Sequence, residues 1–291
     1  MRLLGSKKVI YKFSSTNKPA YTVSDGETVV VETKDAFSNL VRNEKISFED
    51  LAMDLVNPAT GPIGVEGIHA GETLCVSIER IRCGARGVVM CSPELGILSS
   101  DVRRSKTWIA QVTKNTAKFK DGLEIELNPH IGVIGVSPLK GEYPTFYPGD
   151  FGGNMDTVEA REGSKVYLPA FVDGGNLAMG DVHAAMGDGE VCGTGVEVSA
   201  EVTVRLSKTS GLELERPMIE TPTSWLSFAT ARTLDSAAKI ATADMVKFLM
   251  NTNGMAFEDA YMLASVAANL KVSQVVDPLM AAKMEISKRY L

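Results

Sequence analysis

From residue 8 to about residue 219 the chain is written in short β-branched and aromatic runs broken by Gly, Pro and Asp-Gly pairs. That spacing leaves no room for long helices there. In Val198–Leu206, Val198, Ala200, Val202, Val204 and Leu206 alternate with Ser199, Glu201, Thr203 and Arg205, a period of two that makes one dry and one wet face. Leu74, Val76 and Ile78 alternate with Cys75, Ser77 and Glu79 in the same way. Val9–Phe13 and Thr28–Thr33 are further strand-like runs, with Asp25-Gly26 as a turn. Val166–Val172 is apolar but interrupted by Pro169, which predicts an edge strand or a bulge. Many strands with Gly and Pro turns predict a mainly β protein built as an antiparallel sandwich.

The pattern changes near Pro217. Between Thr233 and Met250, Leu234, Ala238, Ala241, Met245, Phe248 and Leu249 fall on one helical stripe. Asp235 or Ser236 is the expected cap, and Asn253-Gly254 the stop. A second helix is expected from about Ala256 to Leu270, with short strands at Trp225–Ala229 and Ala282–Ile286. The expected organisation is a β-sandwich over residues 1–219, carrying the active site, followed by an α/β portion over 220–291.

A net charge of −6 argues against nucleic acid and anionic membranes, which reward clustered Lys and Arg. No apolar run follows the basic start of the chain as in a signal peptide, and none is long enough to span a membrane, so a cytoplasmic location is expected. Cys75, Cys83, Cys91 and Cys192 form no C-x-x-C pair, and they read as reduced packing residues.

The chemistry concentrates in Gly180–Glu197, where one of only three histidines stands among two aspartates and two glutamates on a glycine-rich chain. Asp181 and His183 are two apart, so on a strand they share a face, and carboxylate with neutral imidazole suits zinc or a similar divalent ion. A hydrogen-bonded core histidine beside a turn aspartate is the plainer reading of an isolated D-x-H. The added carboxylates of Gly187-Asp188-Gly189-Glu190 favour the metal. Gly152-Gly153-Asn154-Met155-Asp156 is the second candidate: Asn154 offers an amide donor, and Asp156 can bind metal or take protons. Alone it could be a simple Gly-Asn turn. Asp35 follows a strand and can face a site at the sheet rim, or solvent. Asn57–Leu74 reads as a Pro/Gly-rich turn entering a strand, with His69 on the surface; His130 could reach the site or cap a strand. Cys192 has acidic neighbours, the wrong setting for a nucleophilic thiolate, and no G-x-S-x-G elbow or P-loop is present.

These segments, in this order, resemble the acetamidase/formamidase family. The pieces that carry the likeness are Pro58–Pro62 with Val65-Glu66-Gly67, Pro129–Val136, Gly152–Asp156, Tyr167-Leu168-Pro169, Gly180–Glu190 and Val272–Asp277. Ile68–Glu72 departs from the family's turn. The resemblance implies a jelly-roll-type sandwich with a smaller α/β portion, a homo-oligomer, bound zinc or calcium, and hydrolysis of a small amide to carboxylate and ammonia. On this reading Asp35, Asp156 and His183 hold the metal, perhaps with Asp181. Glu190 is the general base, and Asn154 or a glycine N–H stabilises the oxyanion. The alternatives are a hydrolase of another non-peptide C–N bond and a non-catalytic calcium-binding sandwich.

Overall fold

The 13-residue strand Glu197–Thr209 is the spine of the computed structural model, which describes residues 1–291. It pairs antiparallel with Glu27–Thr33 on one side (Ala200 opposite Thr33) and with the 19-residue strand Thr73–Cys91 on the other. Val198, Val202, Val204 and Leu206 are buried while Glu201 and Arg205 face water, as the alternation requires. The strands form one curled, mostly antiparallel sheet with a small two-stranded ribbon beside it. Two pairings are parallel, Arg2–Leu4 with Glu27–Thr33 and Tyr21–Val23 with Ala59–Val65.

Two local expectations change. Ala59–Val65 is not a turn entering a strand but a fully buried strand in its own right. Its Gly61-Pro62 opposes the single residue Ala178 of Leu177–His183, so the pair forms a bulge and the proline interrupts little of the ladder. The strand Lys165–Pro169 is not an edge: it pairs with Thr73–Cys91 and with Met218–Glu220. Pro169 is tolerated because Met218–Glu220 reaches only Lys165–Tyr167, so the strand has a single neighbour at the proline.

The C-terminal portion has its own small core. Helix α1 (Leu234–Asn253) and helix α2 (Phe257–Ala267) cover the sheet of Ser224–Ala231, Ala268–Gln274 and Met280–Ser287. Ala237, Ala241, Met245, Val246 and Leu249 of α1 are buried against Ala282, Met284 and Ile286. Leu234, Ala238 and Phe248 sit at the margin of that stripe. Thr233 caps α1 by accepting from the Ser236 amide, in place of the expected Asp235 or Ser236, and Gly254 (φ 65°) closes it. α2 stops at Ala267, and Leu270 belongs to a strand. No helix is long and apolar enough to cross a membrane. The expected boundary at residue 219 falls inside Met218–Glu220, a strand bonded on both sides.

Candidate active site

Three strands lie side by side: His130–Gly135, Leu177–His183 and Glu197–Thr209. Their register sets His183 opposite His130 on one flank and opposite Glu197 on the other. Residues paired across antiparallel strands present their side chains on one face, so the register assembles an imidazole–imidazole–carboxylate row. His183 Nδ1 is 3.2 Å from His130 Nε2, and His183 Nε2 is 3.1 Å from Glu197 Oε1. Asp181 Oδ1 and Glu190 Oε1 lie 3.7 and 3.8 Å from the same Nε2.

Two further segments close on this row. Gly152–Asn154 pairs with His130–Gly135, Asn154 opposite Val133, and carries Asp156 in behind it. The loop after Ala268–Gln274 brings Asp277, whose carboxylate accepts from Asn154 Nδ2 at 2.9 Å. Ser273 Oγ donates to the carbonyls of Met155 and Asp156, and Ser273 O accepts from the Gly189 amide at 2.7 Å. One C-terminal segment therefore ties the Asp156 turn to the Glu190 turn. The cluster thus draws contacts from both portions of the chain.

The backbone is bent hard around these groups. Asn57, Asp156, Asp181 and Glu190 all have positive φ, at 50°, 39°, 52° and 46°. Non-glycine residues adopt this region at a cost of order 1–3 kcal/mol each, and such strain clusters at functional sites. Gly132 leaves the room: a Cβ there would stand 2.6 Å from Asp156 Oδ1 and 2.7 Å from Asp181 Oδ2.

Charge is the dominant fact of the site. Asp156, Asp181, Glu190 and Glu197 are buried, and Asp277 stands beside them. Burial raises all five carboxyl groups above their usual range. Asp156 is raised further by Asp277, Asp181 and Glu197, and Glu190 by Asp156, Glu197 and Asp277. Glu197 is pushed up to about 8. Burial lowers both histidines, with His130 held down to about 3 by burial and then by its neighbour His183. Asp156 Oδ1, Glu197 Oε2 and His183 Nε2 are buried with no hydrogen-bond partner. Such a cluster calls for a cation. The donor atoms of Asp181, His183 and Glu197, and those of Asp156, His183 and Glu190, each fall within 4.8 Å of one another. Two donors about 2.1 Å from a shared tetrahedral ion lie roughly 3.4 Å apart, and the spacings around His183 Nε2 match that.

Other sequence candidates fall differently. Asp35 is buried but stands outside both groups. Its Oδ1 accepts from the Phe37 and Asn39 amides, and its Oδ2 is 4.0 Å from Arg86 Nη2, so it caps a turn. Asn154 reaches the site, yet its Nδ2 donates to Asp156 and Asp277 and its Oδ1 accepts from Asn57. Both N–H groups are engaged, so it orients carboxylates instead of waiting for an oxyanion. His69 is exposed, 3.5 Å from Asp173. Cys192 Sγ lies near the Met90 and Thr194 carbonyls and takes no part. Asn57, Glu197 and Asp277 join the cluster without having been given a role, and His130, left open between the site and a strand cap, reaches it. For His130 and Glu197 the signal was strand register with His183; Asn57 and Asp277 arrive from loops.

A cavity of about 470 Å³ opens onto the cluster, with Asn154, Asp181, Glu190, Glu197 and Asp277 in its lining. A curled sheet with a buried carboxylate–histidine cluster beside a cavity is the build of an enzyme active site. The chain belongs to the acetamidase/formamidase family, whose model matches residues 11–143 and 141–287. It is similar to the crystal structure of an acetamidase from Bacillus halodurans, at a TM-score of 0.97 and 38% identity over 99% of this chain and 98% of that one. A predicted acetamidase/formamidase from Thermoanaerobacter tengcongensis matches at 0.96 and 38% identity, over 99% and 96% of the two chains. A putative formamidase of Schizosaccharomyces pombe is 23% identical over 266 residues, 68% of this chain and 64% of that protein, so the match spans under two thirds of that relative's length.

Proposed function

We propose that the protein is a divalent-metal-dependent amidohydrolase that cleaves a linear amide to carboxylate and ammonia. The observation that carries this reading is His183 Nε2, a buried and unpartnered donor aimed at three carboxylates. Family membership and the two acetamidase-type structures support the amide chemistry.

Asp181, His183 and Glu197 would hold the ion. The imidazole has one free lone pair, so it serves one cation, and Glu197 is its nearest acid. An imidazole among the ligands favours zinc over calcium, which takes oxygen donors. Asp35 stands outside this set, its Oδ1 occupied by the Phe37 and Asn39 amides. A divalent cation there supplies Lewis acidity, polarising the amide carbonyl and acidifying water. Glu190 reaches the same cavity from a glycine-flanked turn. It is the base that takes the proton of the attacking water and returns it to the leaving nitrogen. Asn154 and Asn57 lock Asp156, Asp181 and Asp277 in place.

The test is ammonia release from a panel of amides by protein stripped of metal and then reloaded with zinc. Release that returns with zinc, together with loss of both metal and turnover in His183→Ala, supports the reading. A His183→Ala protein that keeps its metal and its activity overturns it.

A further inference from the structure

The cavity above the cluster is far larger than a formamide or acetamide needs. A three- or four-atom amide with an ion and a water fills roughly 100–150 Å³, at ~30 Å³ per water-sized group, against about 470 Å³ here. Much of the lining is apolar. Phe37, Phe48, Met53, Leu95, Phe146 and Pro278 line the cavity together with the acids and amides of the cluster. Phe37 and Phe48 are themselves buried, in a small core with Ala36, Val41, Val88 and Met90, so this wall is built into the fold. No Lys or Arg lines the cavity, and Glu94 is the one charged group there outside the cluster.

We infer that the preferred substrate is the primary amide of an uncharged acid with a sizeable apolar acyl group, of medium alkyl or arylalkyl kind. This deepens the amidohydrolase reading and rests on it. The amide head sits at the carboxylates of the cluster and the acyl chain packs on apolar lining side chains, Phe146 and Leu95 among them. Apolar walls reward an apolar occupant, by about three- to fourfold for each methylene removed from water. An anionic acyl group would meet a cavity with no cationic side chain and several acids.

The experiment compares kcat/KM for formamide, acetamide, hexanamide, phenylacetamide and succinamate with the zinc-loaded protein. Hexanamide and phenylacetamide should exceed acetamide by about 30-fold or more, since four added methylenes at about threefold each would give more. Succinamate should lie well below hexanamide. In Phe146→Ala the ratio of hexanamide to acetamide should fall by about tenfold. That ratio does not depend on how much of the variant is folded. A preference for formamide or acetamide, an unchanged ratio in Phe146→Ala, or succinamate equal to hexanamide overturns the inference and leaves the amidase reading standing. Failure to release ammonia from any of the five overturns the amidase reading itself.

Discussion

His130 Nε2 accepts the Nδ1 proton of His183 across 3.2 Å, and the direction of that bond follows from a third atom. His130 Nδ1 lies 2.7 Å from the Asn128 carbonyl, which can only accept, so Nδ1 carries the His130 proton. His130 Nε2 is then a bare lone pair, because burial keeps the ring neutral. His183 must donate from Nδ1 and present Nε2 unprotonated to the carboxylates. One backbone carbonyl thus sets the tautomer of the imidazole at the centre of the site.

Replacing His130 with Phe keeps an aromatic ring and removes the acceptor. Zinc affinity should fall about 10- to 100-fold, the usual effect of losing the partner that orients a ligating imidazole. Chelator competition measures it. An affinity equal to that of the parent would mean that His183 is oriented by something else.

Gly132→Ala should be damaging out of proportion to one methyl group. The added Cβ would press on Asp156 Oδ1, Asp181 O and Asp181 Oδ2 at 2.6–2.7 Å. Those groups sit on strained backbone and have no slack. The expected loss is about 1–3 kcal/mol of stability, as for overpacking in general, together with most of the metal binding. Gly187→Ala is the control: nothing lies within 4 Å of its Cβ, and its denaturation midpoint should stay close to that of the parent.

What could be read in the chain beforehand was whatever is local. Strict alternation in Val198–Leu206 announced the spine of the sheet, and D-x-H followed by Gly-Asp-Gly-Glu announced His183, Asp181 and Glu190 within eleven residues. Glu197 and His130 are 14 and 53 positions from His183, and only the antiparallel register brings them level with it. Asp277 enters through a loop held by Gln274 Oε1, which accepts from the Val276 and Asp277 amides. No pattern in the sequence encodes that approach. A carboxylate that caps a turn and one that faces a cavity look alike in sequence; Asp35 gives its Oδ1 to the amides of Phe37 and Asn39 and lies outside the two groups gathered around His183.

Lys283 is fully buried, its ammonium bonded to Glu159, Asp188 and Thr157. Asp188 belongs to the turn that carries Glu190, so this lysine also anchors one wall of the site. Lys283→Met removes the cation and leaves Glu159 in a dry place. The expected loss of stability is about 3–5 kcal/mol, the range for breaking one side of a buried pair. Adding Glu159→Gln should restore part of it, because the stranded charge is then gone. Urea denaturation of the two variants tests this, and a double variant no better than the single would show that Glu159 is not the stranded partner.

Acid sensitivity should trace in part to Glu220, which lies outside the carboxylate–histidine cluster. Its burial alone would raise the carboxyl, but hydrogen bonds from Lys288 (2.6 Å), Tyr167 (2.7 Å) and Lys165 (3.0 Å) outweigh that. The group is held at about 2, against 4.5 when unperturbed. A depressed folded-state value means that the unfolded chain takes up the proton first as pH falls. The stabilisation is therefore complete above pH 4.5 and drains away between there and pH 2. Glu220→Gln should destabilise the protein at pH 7, and the difference in denaturation midpoint from the parent should shrink steadily below pH 4.5. A difference that stays constant from pH 7 to pH 3 would show that the carboxylate charge contributes nothing and that only the packing of the side chain matters.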